Sequence, residues 1–186
     1  MRIIAGEARG RRLFAPDGTE TRPTADRTRE SLFSILSARI PGARVLDLFG
    51  GTGALALEAL SRGAAFAAVS DVSAAAIKAI NRNAQTVLGD DRARIRVLRA
   101  DYRQAIRLLV GSEFDLVFLD PPYRMADAYA DAARALADAG MLSRDAVIVM
   151  ERAKDVSVSL REDFTIYDER TYRDTVIAFA SRRQNE

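Results

Sequence analysis

The stretch Asp120-Pro121-Pro122-Tyr123 holds the most chemically specific residue pattern in this sequence. It follows the apolar run Phe114–Leu119, which has the length and composition of a buried strand, so the pattern is expected at a strand's carboxyl end. Consecutive prolines fix φ and lack backbone N–H donors, which leaves the carbonyls here outside a regular strand ladder. With the Asp120 carboxylate they predict a rigid array of oxygen acceptors, and Tyr123 offers an aromatic face to a flat ring. An ordinary turn is the alternative interpretation.

Such an acceptor array suits the exocyclic amino group of a nucleic-acid base, which carries two N–H donors and a lone pair delocalised into the ring. If Asp120 and the Pro121 carbonyl accept both hydrogens, the nitrogen is drawn toward tetrahedral geometry and its lone pair faces an incoming methyl group. Catalysis would then rest mainly on positioning and electrostatics. We therefore predict catalytic roles for Asp120, Pro121, Pro122 and Tyr123.

A glycine-rich loop at residues 45–53 (VLDLFGGTG) joins a predicted strand to a predicted helix. Glycines allow a ligand to approach the backbone closely, and the following helix directs its N-terminal amides toward the same place. The loop lacks the Gly-Lys-Ser/Thr of a phosphate-binding loop, and Ala56 interrupts a dinucleotide fingerprint. Asp47 at the strand end instead suits a cationic ligand, such as the sulfonium and ammonium groups of S-adenosylmethionine. A tight strand–helix turn without a ligand is the alternative.

Two further acidic residues follow predicted strands on the same side as the glycine loop. Asp71 is placed to accept hydrogen bonds from ribose hydroxyls, and Asp101 lies within reach of an adenine amino group. Each of them alone is also a common helix cap or loop residue. The predicted S-adenosylmethionine contacts are Asp47, Phe49, Gly51, Gly53, Asp71, Asp101 and Tyr102.

The composition excludes several other chemistries. The 186 residues contain no cysteine and no histidine, so thiolate nucleophiles, zinc–sulfur sites and Ser-His triads are absent. Missing cysteine also counts against methylation at pyrimidine C5, which needs a covalent nucleophile. We predict no metal site. No apolar run reaches the roughly 20 residues of a membrane helix, and the first residues lack a secretory pattern, so we expect a cytoplasmic protein without membrane contact.

Basic residues are concentrated at the N-terminal end of the sequence. Residues 1–44 contain nine arginines against five acidic residues, whereas the net charge of the whole chain is only +2. Arginine suits phosphate because its guanidinium is planar and always charged. Arginine alternating with glycine on a small hairpin favours contact with the RNA backbone, and solvated arginines on a structural hairpin are the alternative. The predicted RNA contacts are Arg9, Arg11, Arg12 and Arg22.

Short apolar runs alternate with helical patterns through most of the chain, which predicts βαβ units around a mostly parallel sheet. This pattern occupies 41–186, the predicted main domain, and leaves 1–40 as an N-terminal appendage. A short turn at Thr171–Asp174 predicts that the last two strands form an antiparallel hairpin. The predicted strands are 44–49, 65–70, 93–99, 114–119, 146–150, 164–169 and 175–180, with helices at 54–62, 73–88, 102–110 and 126–139.

The N-terminal appendage is predicted to contain a hairpin and one helix. Arg2–Ala5 and Arg11–Phe14 are the expected strands of the hairpin. Thr24 or Asp26 is expected to cap a helix that runs to about Arg39. Its predicted apolar face consists of Leu32, Phe33, Ile35 and Leu36, with Arg27 and Arg29 outside that face.

Together these motifs resemble those of the bacterial RsmD-type 16S ribosomal RNA guanine-N2 methyltransferases, and the similarity covers almost the full length of the chain. The glycine loop and Asp-Pro-Pro-Tyr are shared by many amino methyltransferases, so the N-terminal pattern is what narrows the family. Residues 2–6 (RIIAG) and 9–13 (RGRRL) are similar to its hairpin, residues 22–33 (RPTADRTRESLF) to its first helix, and residues 57–64 (LEALSRGA) to the stretch after its glycine loop.

The resemblance implies a seven-stranded Rossmann-like class I methyltransferase fold, of α/β class, that uses S-adenosylmethionine. It implies a guanine N2 of 16S ribosomal RNA as the target and ribosomal RNA or a small-subunit assembly particle as the partner, and we expect a monomer. The sequence departs from the family pattern at three positions. Gly50 stands where alanine is usual, Asp71 where glutamate is common, and Arg173 where glycine is frequent before the last strand.

Three other functions fit part of the pattern. A DNA adenine-N6 methyltransferase binds the same kind of amine, but 186 residues leave no room for a sizeable target-recognition domain. A protein glutamine methyltransferase has a similar site, although it typically carries asparagine at the position of Asp120. A non-catalytic RNA-binding assembly factor would not need both the glycine loop and Asp-Pro-Pro-Tyr.

Overall fold

A seven-stranded, mostly parallel sheet forms the centre of the molecule. The computed structural model describes residues 1–15, 23–122 and 125–183, with the backbone alone for 23–25. The strand order is β3-β2-β1-β4-β5-β7-β6, and β7 runs antiparallel to both of its neighbours, which confirms the predicted C-terminal hairpin. The strands are β1 (Arg44–Asp47), β2 (Phe66–Asp71), β3 (Ile95–Arg99), β4 (Phe114–Leu119), β5 (Leu142–Ala153), β6 (Phe164–Tyr172) and β7 (Thr175–Arg182).

Helices cover both faces of the sheet, so apolar strand residues are buried on alternating sides in two cores. The N-terminal segment and the first three helices pack on one face, and the last two helices pack on the other. None of the helices in the described part of the chain is long and apolar enough to span a membrane. The helices are α1 (Pro23–Ile35), α2 (Ala54–Ser61), α3 (Ala74–Leu88), α4 (Tyr102–Leu108) and α5 (Ala128–Asp138).

The strand order creates a crevice between β1 and β4. The chain proceeds outward from β1 to β2 and β3, and then returns to place β4 on the other side of β1. Ligands of open α/β sheets bind outside the carboxyl ends of the strands at such a switch point. Asp47, the last residue of β1, pairs in register with Phe118 of β4, so the two strands end within two residues of each other.

Several strands differ in length from the prediction, because the extent of hydrogen-bonded pairing does not coincide with the apolar runs. The fifth strand was expected at 146–150, yet β5 continues to Ala153 because its polar end pairs with Val176 and Thr175 of β7. The first strand was expected to reach Phe49, but β1 ends at Asp47, where the glycine loop begins.

The N-terminal segment packs closely against α2. Its predicted hairpin is reduced to a single bridge between Arg2 and Arg12, rather than two strands of four residues. Side chains of α2 bind its backbone: Glu58 accepts hydrogen bonds from Ile4 N at 2.8 Å and Ala5 N at 3.0 Å, and Ser61 Oγ accepts one from Ala8 N at 3.0 Å. Backbone bonds still join the two arms, for example from Ile3 N to the Arg11 carbonyl at 2.9 Å, and the α2 side chains satisfy N–H groups that this short ladder does not pair. Ile3, Ala8 and Leu13 are buried in the same core as α2.

Three predictions about the first helix were wrong. The helix begins at Pro23, and proline fits a first helical position, so Thr24 and Asp26 lie inside the helix instead of capping it. Ile35, predicted on the apolar face, is 42% exposed at the end of the α-helix, although a 3₁₀ turn does continue to Arg39 as the predicted length implied. Arg29 is only 6% exposed, because its guanidinium donates to the Arg2 carbonyl and pairs with Asp26 at 3.2 Å.

One departure from the family pattern, Arg173, lies in the turn between β6 and β7. Arg173 adopts a φ of 56°, in the left-handed region that glycine occupies with less strain. The neighbouring Asp174 carbonyl accepts a hydrogen bond from Lys154 N at 2.9 Å, which ties this turn to the end of β5.

Candidate active site

The structure brings the predicted strand-ending acids to one edge of the sheet. Asp47 is the last residue of β1, Asp71 is the last residue of β2, and Asp120 directly follows β4. Asp101 follows β3 by two residues and begins α4. Because these strands are parallel, their carboxyl ends meet beside the glycine loop.

The glycine loop presents open backbone at this edge. Gly51 and Gly53 have φ values of 54° and 77°, in the region that favours glycine. A Cβ placed on Gly51 would meet no atom within 4 Å, so the backbone here is open to a ligand. Gly53 directly precedes α2 and is buried. The loop is therefore shaped as a cradle at a helix N-terminus.

Gly50, where alanine is usual in the family, leaves space for the side chain of Val69 on β2. A Cβ on Gly50 would lie 2.4 Å from Val69 Cγ1 and 3.1 Å from Ile80 Cδ1, which is too close for either methyl group to stay in place. The smaller residue in the loop thus makes room for these two branched side chains.

Asp71 and Asp101 both carry local structural hydrogen bonds. Asp71 Oδ2 accepts from Gly51 N at 2.9 Å and its Oδ1 accepts from Ser73 N at 2.8 Å, so this side chain bridges the glycine loop and the start of α3. Asp101 Oδ1 accepts from Gln104 N at 2.8 Å as the cap of α4. A carboxylate oxygen has more than one acceptor site, so these bonds leave capacity for a ligand donor.

Phe49 and Tyr102 form an aromatic flank of the cleft. Their ring centroids are 5.6 Å apart with an interplanar angle of 38°. The Tyr102 hydroxyl donates to Asp131 Oδ2 at 2.8 Å, which fixes the ring against α5. The pair offers an apolar surface for a flat group next to Asp101.

Asp47 is a buried carboxylate with little compensation. It is 2% exposed, and the Phe49 backbone N–H donates a hydrogen bond to its Oδ1 at 3.3 Å. Burial, with a smaller contribution from the charge of Asp71, raises the pKa of Asp47 to about 7 against the opposing effect of the Phe49 hydrogen bond. A cationic ligand above this carboxylate would stabilise its ionised form.

Asp120 and Pro121 directly follow β4, at the strand end where the acceptor array was predicted. Met125 N donates to the Pro122 carbonyl at 2.8 Å, whereas no described residue donates to the Pro121 carbonyl. Tyr123 lies outside the described residues. Burial among the strand ends, followed by the charges of Glu151 and Asp47, raises the pKa of Asp120 well above its ordinary value, although one side of the residue stays open to solvent.

Glu151 was missed by the sequence analysis. It lies on β5 one residue beyond Met150, which pairs with Leu119 of β4, so Glu151 is the neighbour of Asp120 across the two strand ends. Burial raises its pKa. The sequence did contain a signal for Glu151. An acidic residue directly follows the apolar run 146–150, just as acidic residues follow other strands of this sheet.

The arginines predicted to contact RNA differ in their surroundings. Arg9 and Arg12 are exposed, while the guanidinium of Arg11 donates to the Thr86 carbonyl on α3. Arg22 lies outside the described residues. A cleft of about 320 Å³ separates the N-terminal segment from α1, and its lining includes Arg2, Arg9, Arg27, Asp26 and Glu30.

With this fold and site established, comparison with known proteins identifies the family. Residues 1–181 match the family model described as Conserved hypothetical protein 95. The chain belongs to the Conserved hypothetical protein 95 family. This match and the Escherichia coli relative described below confirm the resemblance to RsmD-type enzymes. The matched residues include both the N-terminal segment and the strands of the sheet.

Relatives of this Conserved hypothetical protein 95 family member cover most of its length. YlbH of Bacillus subtilis, assigned as an rRNA methyltransferase, is 36% identical over 187 residues, with 98% of this chain and 100% of YlbH covered. Ribosomal RNA small subunit methyltransferase D of Escherichia coli is 39% identical over 153 residues, which cover 81% of this chain and 74% of the relative. The solved structure of YhhF from Escherichia coli, assigned as a methyltransferase, superimposes with a TM-score of 0.83 at 32% identity and covers 100% of this chain and 99% of its own.

Proposed function

We propose that this protein transfers a methyl group from S-adenosylmethionine to the N2 amine of a guanine in 16S ribosomal RNA. The observation that carries the proposal is the placement of Asp120 and the Pro121 carbonyl at the crevice between β1 and β4, beside the glycine loop. The Escherichia coli relative is a ribosomal RNA small subunit methyltransferase by name, which supports the RNA target.

The residues at the crevice fit S-adenosylmethionine. The open backbone at Gly51 admits a ligand. No cation of the described residues pairs with the buried Asp47 carboxylate, and the sulfonium and ammonium groups would supply one. Asp71 faces the glycine loop, where it can accept from ribose hydroxyls, and Asp101 with the aromatic flank of Phe49 and Tyr102 would hold the adenine. When bound, the cofactor supplies an electrophilic methyl group.

The chain's own contribution to the chemistry lies in the acceptor array. Asp120 and the Pro121 carbonyl accept the two N–H groups of the amine, which holds its nitrogen with the lone pair directed at the crevice. After methylation the nitrogen is positively charged and releases one proton. Asp120 is the proposed acceptor, because a carboxylate with a raised pKa binds a proton more readily.

The N-terminal residues 1–40 are proposed to face the RNA, with 41–186 as the methyltransferase domain of a monomeric enzyme. Exposed Arg9 and Arg12 are suited to phosphate contact, since arginine binds phosphate through planar donors. Arg11 contributes less in this proposal, because its guanidinium already binds the Thr86 carbonyl.

A test of the proposed function is mass spectrometry of nucleosides from small-subunit ribosomal RNA. A strain lacking this gene should lose one N2-methylguanosine per RNA molecule compared with wild type. Purified protein and S-adenosylmethionine should restore the modification in RNA, or in small subunits, from the deletion strain. Unchanged N2-methylguanosine, or loss of N6-methyladenosine instead, would exclude guanine N2 as the target.

A further inference from the structure

We propose that Glu151 is a specificity-determining residue that binds the N1–H of the target guanine while Asp120 binds its 2-amino group. The inference rests on the proposed function, and it explains why a guanine would be chosen over other bases with an exocyclic amine. Nothing in the sequence motifs distinguishes these amines, because Asp-Pro-Pro-Tyr fits each of them.

The sheet places Glu151 and Asp120 side by side. Leu119 and Met150 pair in parallel register, where neighbouring strands lie about 5 Å apart, so the residues that follow them along the two strands are neighbours. Val147 and Val149 belong to the core on the α1 face, and alternation puts Glu151 on that same face. Leu116 and Phe118 of β4 lie in that core too, which directs Asp120 to the α1 side as well.

The contacts of Glu151 position its backbone and leave its carboxylate for a ligand. Its carbonyl accepts a hydrogen bond from the Tyr129 hydroxyl at 2.5 Å, and its backbone pairs with Ile177 of β7. The adjacent Arg152 pairs with Glu169 at 2.8 Å, and no cation in the described part of the chain forms an ion pair with Glu151. A partly buried carboxylate without a cation needs hydrogen-bond donors, which a bound base can provide.

Two neighbouring carboxylates match the edge of guanine. Ionised carboxylates only accept hydrogen bonds, and guanine presents N1–H next to its 2-amino group, so adjacent donors meet adjacent acceptors. In adenine, N1 beside the amino group is an acceptor, and its lone pair would face the Glu151 carboxylate. A polar site rejects an analogue that lacks the matching donor because its own buried group is left unpaired.

The test compares guanine with 2-aminopurine at the target position of the RNA in wild type and Glu151→Gln. The analogue keeps the 2-amino group but carries a lone pair at N1. Wild-type protein should prefer guanine by about 100-fold or more in kcat/KM. Glu151→Gln should narrow that preference at least tenfold, because the glutamine amide can accept from N1–H or donate to the N1 lone pair. The analogue also lacks the 6-oxygen, but that difference is the same for both proteins and cancels in the comparison.

A binding measurement separates recognition from transfer. The fluorescence of 2-aminopurine reports affinity directly, and guanine RNA serves as the competitor, with S-adenosylhomocysteine in place of the methyl donor. The ratio of the Kd for 2-aminopurine RNA to the Kd for guanine RNA should be at least tenfold smaller in Glu151→Gln than in wild type. Glu162→Gln is the matched control. This exposed residue precedes β6, at the end of the sheet away from the carboxyl ends of the parallel strands, and its replacement should keep the wild-type preference.

The outcomes distinguish the inference from the function on which it depends. If wild type methylates guanine and Glu151→Gln keeps the full wild-type preference, the role of Glu151 is wrong and the proposed function stands. If wild-type protein methylates no guanine in the RNA or in the small subunit, the proposed function itself fails. A cooperative thermal unfolding curve for Glu151→Gln, with a midpoint no lower than that of wild type, ensures that a narrowed preference reports recognition rather than misfolding.

Discussion

The buried carboxylates at the crevice destabilise the ligand-free protein and also provide the groups proposed to bind its ligands. Asp47, Asp120 and Glu151 lie at or near the carboxyl ends of three neighbouring strands, and burial raises the pKa of each. Like charges held together in a poorly solvated place destabilise the free protein. A cationic methyl donor and an amine with two N–H groups are the ligands that relieve this repulsion. The same carboxylates therefore weaken the ligand-free fold and favour the ligated one.

Asp47→Asn should stabilise the free protein while it weakens cofactor binding. The folded-state pKa of Asp47 is raised from 3.8 to about 7, so the folded state favours the protonated form, and stability is lost as the pH rises from about 4 to about 7. Asparagine removes this loss and keeps an oxygen for the Phe49 N–H. Denaturant unfolding should show a gain of roughly 2–4 kcal/mol at pH 8 that shrinks toward zero near pH 4. A gain in stability that does not depend on pH would contradict the raised pKa assigned to Asp47. Calorimetry should also show that Asp47→Asn binds S-adenosylmethionine at least tenfold more weakly than wild type.

Asp120→Ala should abolish methyl transfer and leave cofactor affinity largely intact. The reason is that Asp120 is assigned to the target amine, while the glycine loop and Asp47 hold the methyl donor. Tritium transfer to RNA measures the first effect, with an expected loss of at least 1,000-fold, and calorimetry measures the second. Transfer at a rate near that of wild type would remove Asp120 from the reaction.

At the scale of elements, α2 links the cofactor loop to the N-terminal segment. Its first turn follows Gly53, and its buried Glu58 binds the backbone of residues 4 and 5 as well as Arg62 Nε at 2.7 Å. The segment also contacts the loop directly, since Met1 Sδ lies 3.7 Å from Thr52 Oγ1. A proposed RNA-facing element is therefore held in a defined position beside the cofactor site.

Gly6→Ala should loosen the N-terminal segment without unfolding the sheet. A Cβ at Gly6 would lie 1.8 Å from the Ser61 carbonyl oxygen, so the segment must move away from α2. Gly10→Ala is the matched control, because Gly10 has a similar positive φ of 82° but open space around its Cβ position. Hydrogen exchange at the amides of Ile4 and Ala5 should accelerate strongly in Gly6→Ala only, while β4 stays protected. Equal exchange in the two variants would show that strain in φ, rather than the contact with Ser61, controls the docking.

At the scale of the whole molecule, positive charge is distributed unevenly. The net charge of +2 hides an N-terminal region in which arginines outnumber acids, whereas the crevice is negative. Such a distribution attracts the RNA backbone to one part of the surface and presents the acidic crevice to the base and the cationic donor. Contacts to phosphate orient the substrate, and the base is then read in the crevice.

Replacement of Arg9 and Arg12 together by alanine should weaken RNA binding and reduce its salt dependence. Each lost phosphate contact lowers the slope of log K against log salt by about 0.7–0.9, so the double variant should lose about 1–2 from the slope. Arg11→Ala should change it less, since that guanidinium binds Thr86. Arg107→Ala, an exposed position on α4 at the other face of the sheet, is the control for net charge. A slope that stays at the wild-type value in the double variant would place the RNA elsewhere.

Much of this protein could be predicted from the sequence because its signals are local. Apolar runs that alternate with helical patterns predicted each strand of the sheet, and the glycine loop and Asp-Pro-Pro-Tyr predicted where the site lies. The errors arose where tertiary contacts override local preference. Arg29 was expected outside the apolar face of the first helix, but it is buried there because the Arg2 carbonyl and Asp26 bind its guanidinium. The fifth strand was expected to end with its apolar run, yet pairing with β7 extends it to Ala153.

By itself, the sequence determined which residues end the strands and therefore which groups share an edge of a parallel sheet. Only the tertiary structure decided which of these groups are neighbours, because strand order and register depend on long-range hydrogen bonding that no local pattern encodes. Glu151 illustrates the difference. It was one acid among many until the pairing of Leu119 with Met150 placed it next to Asp120.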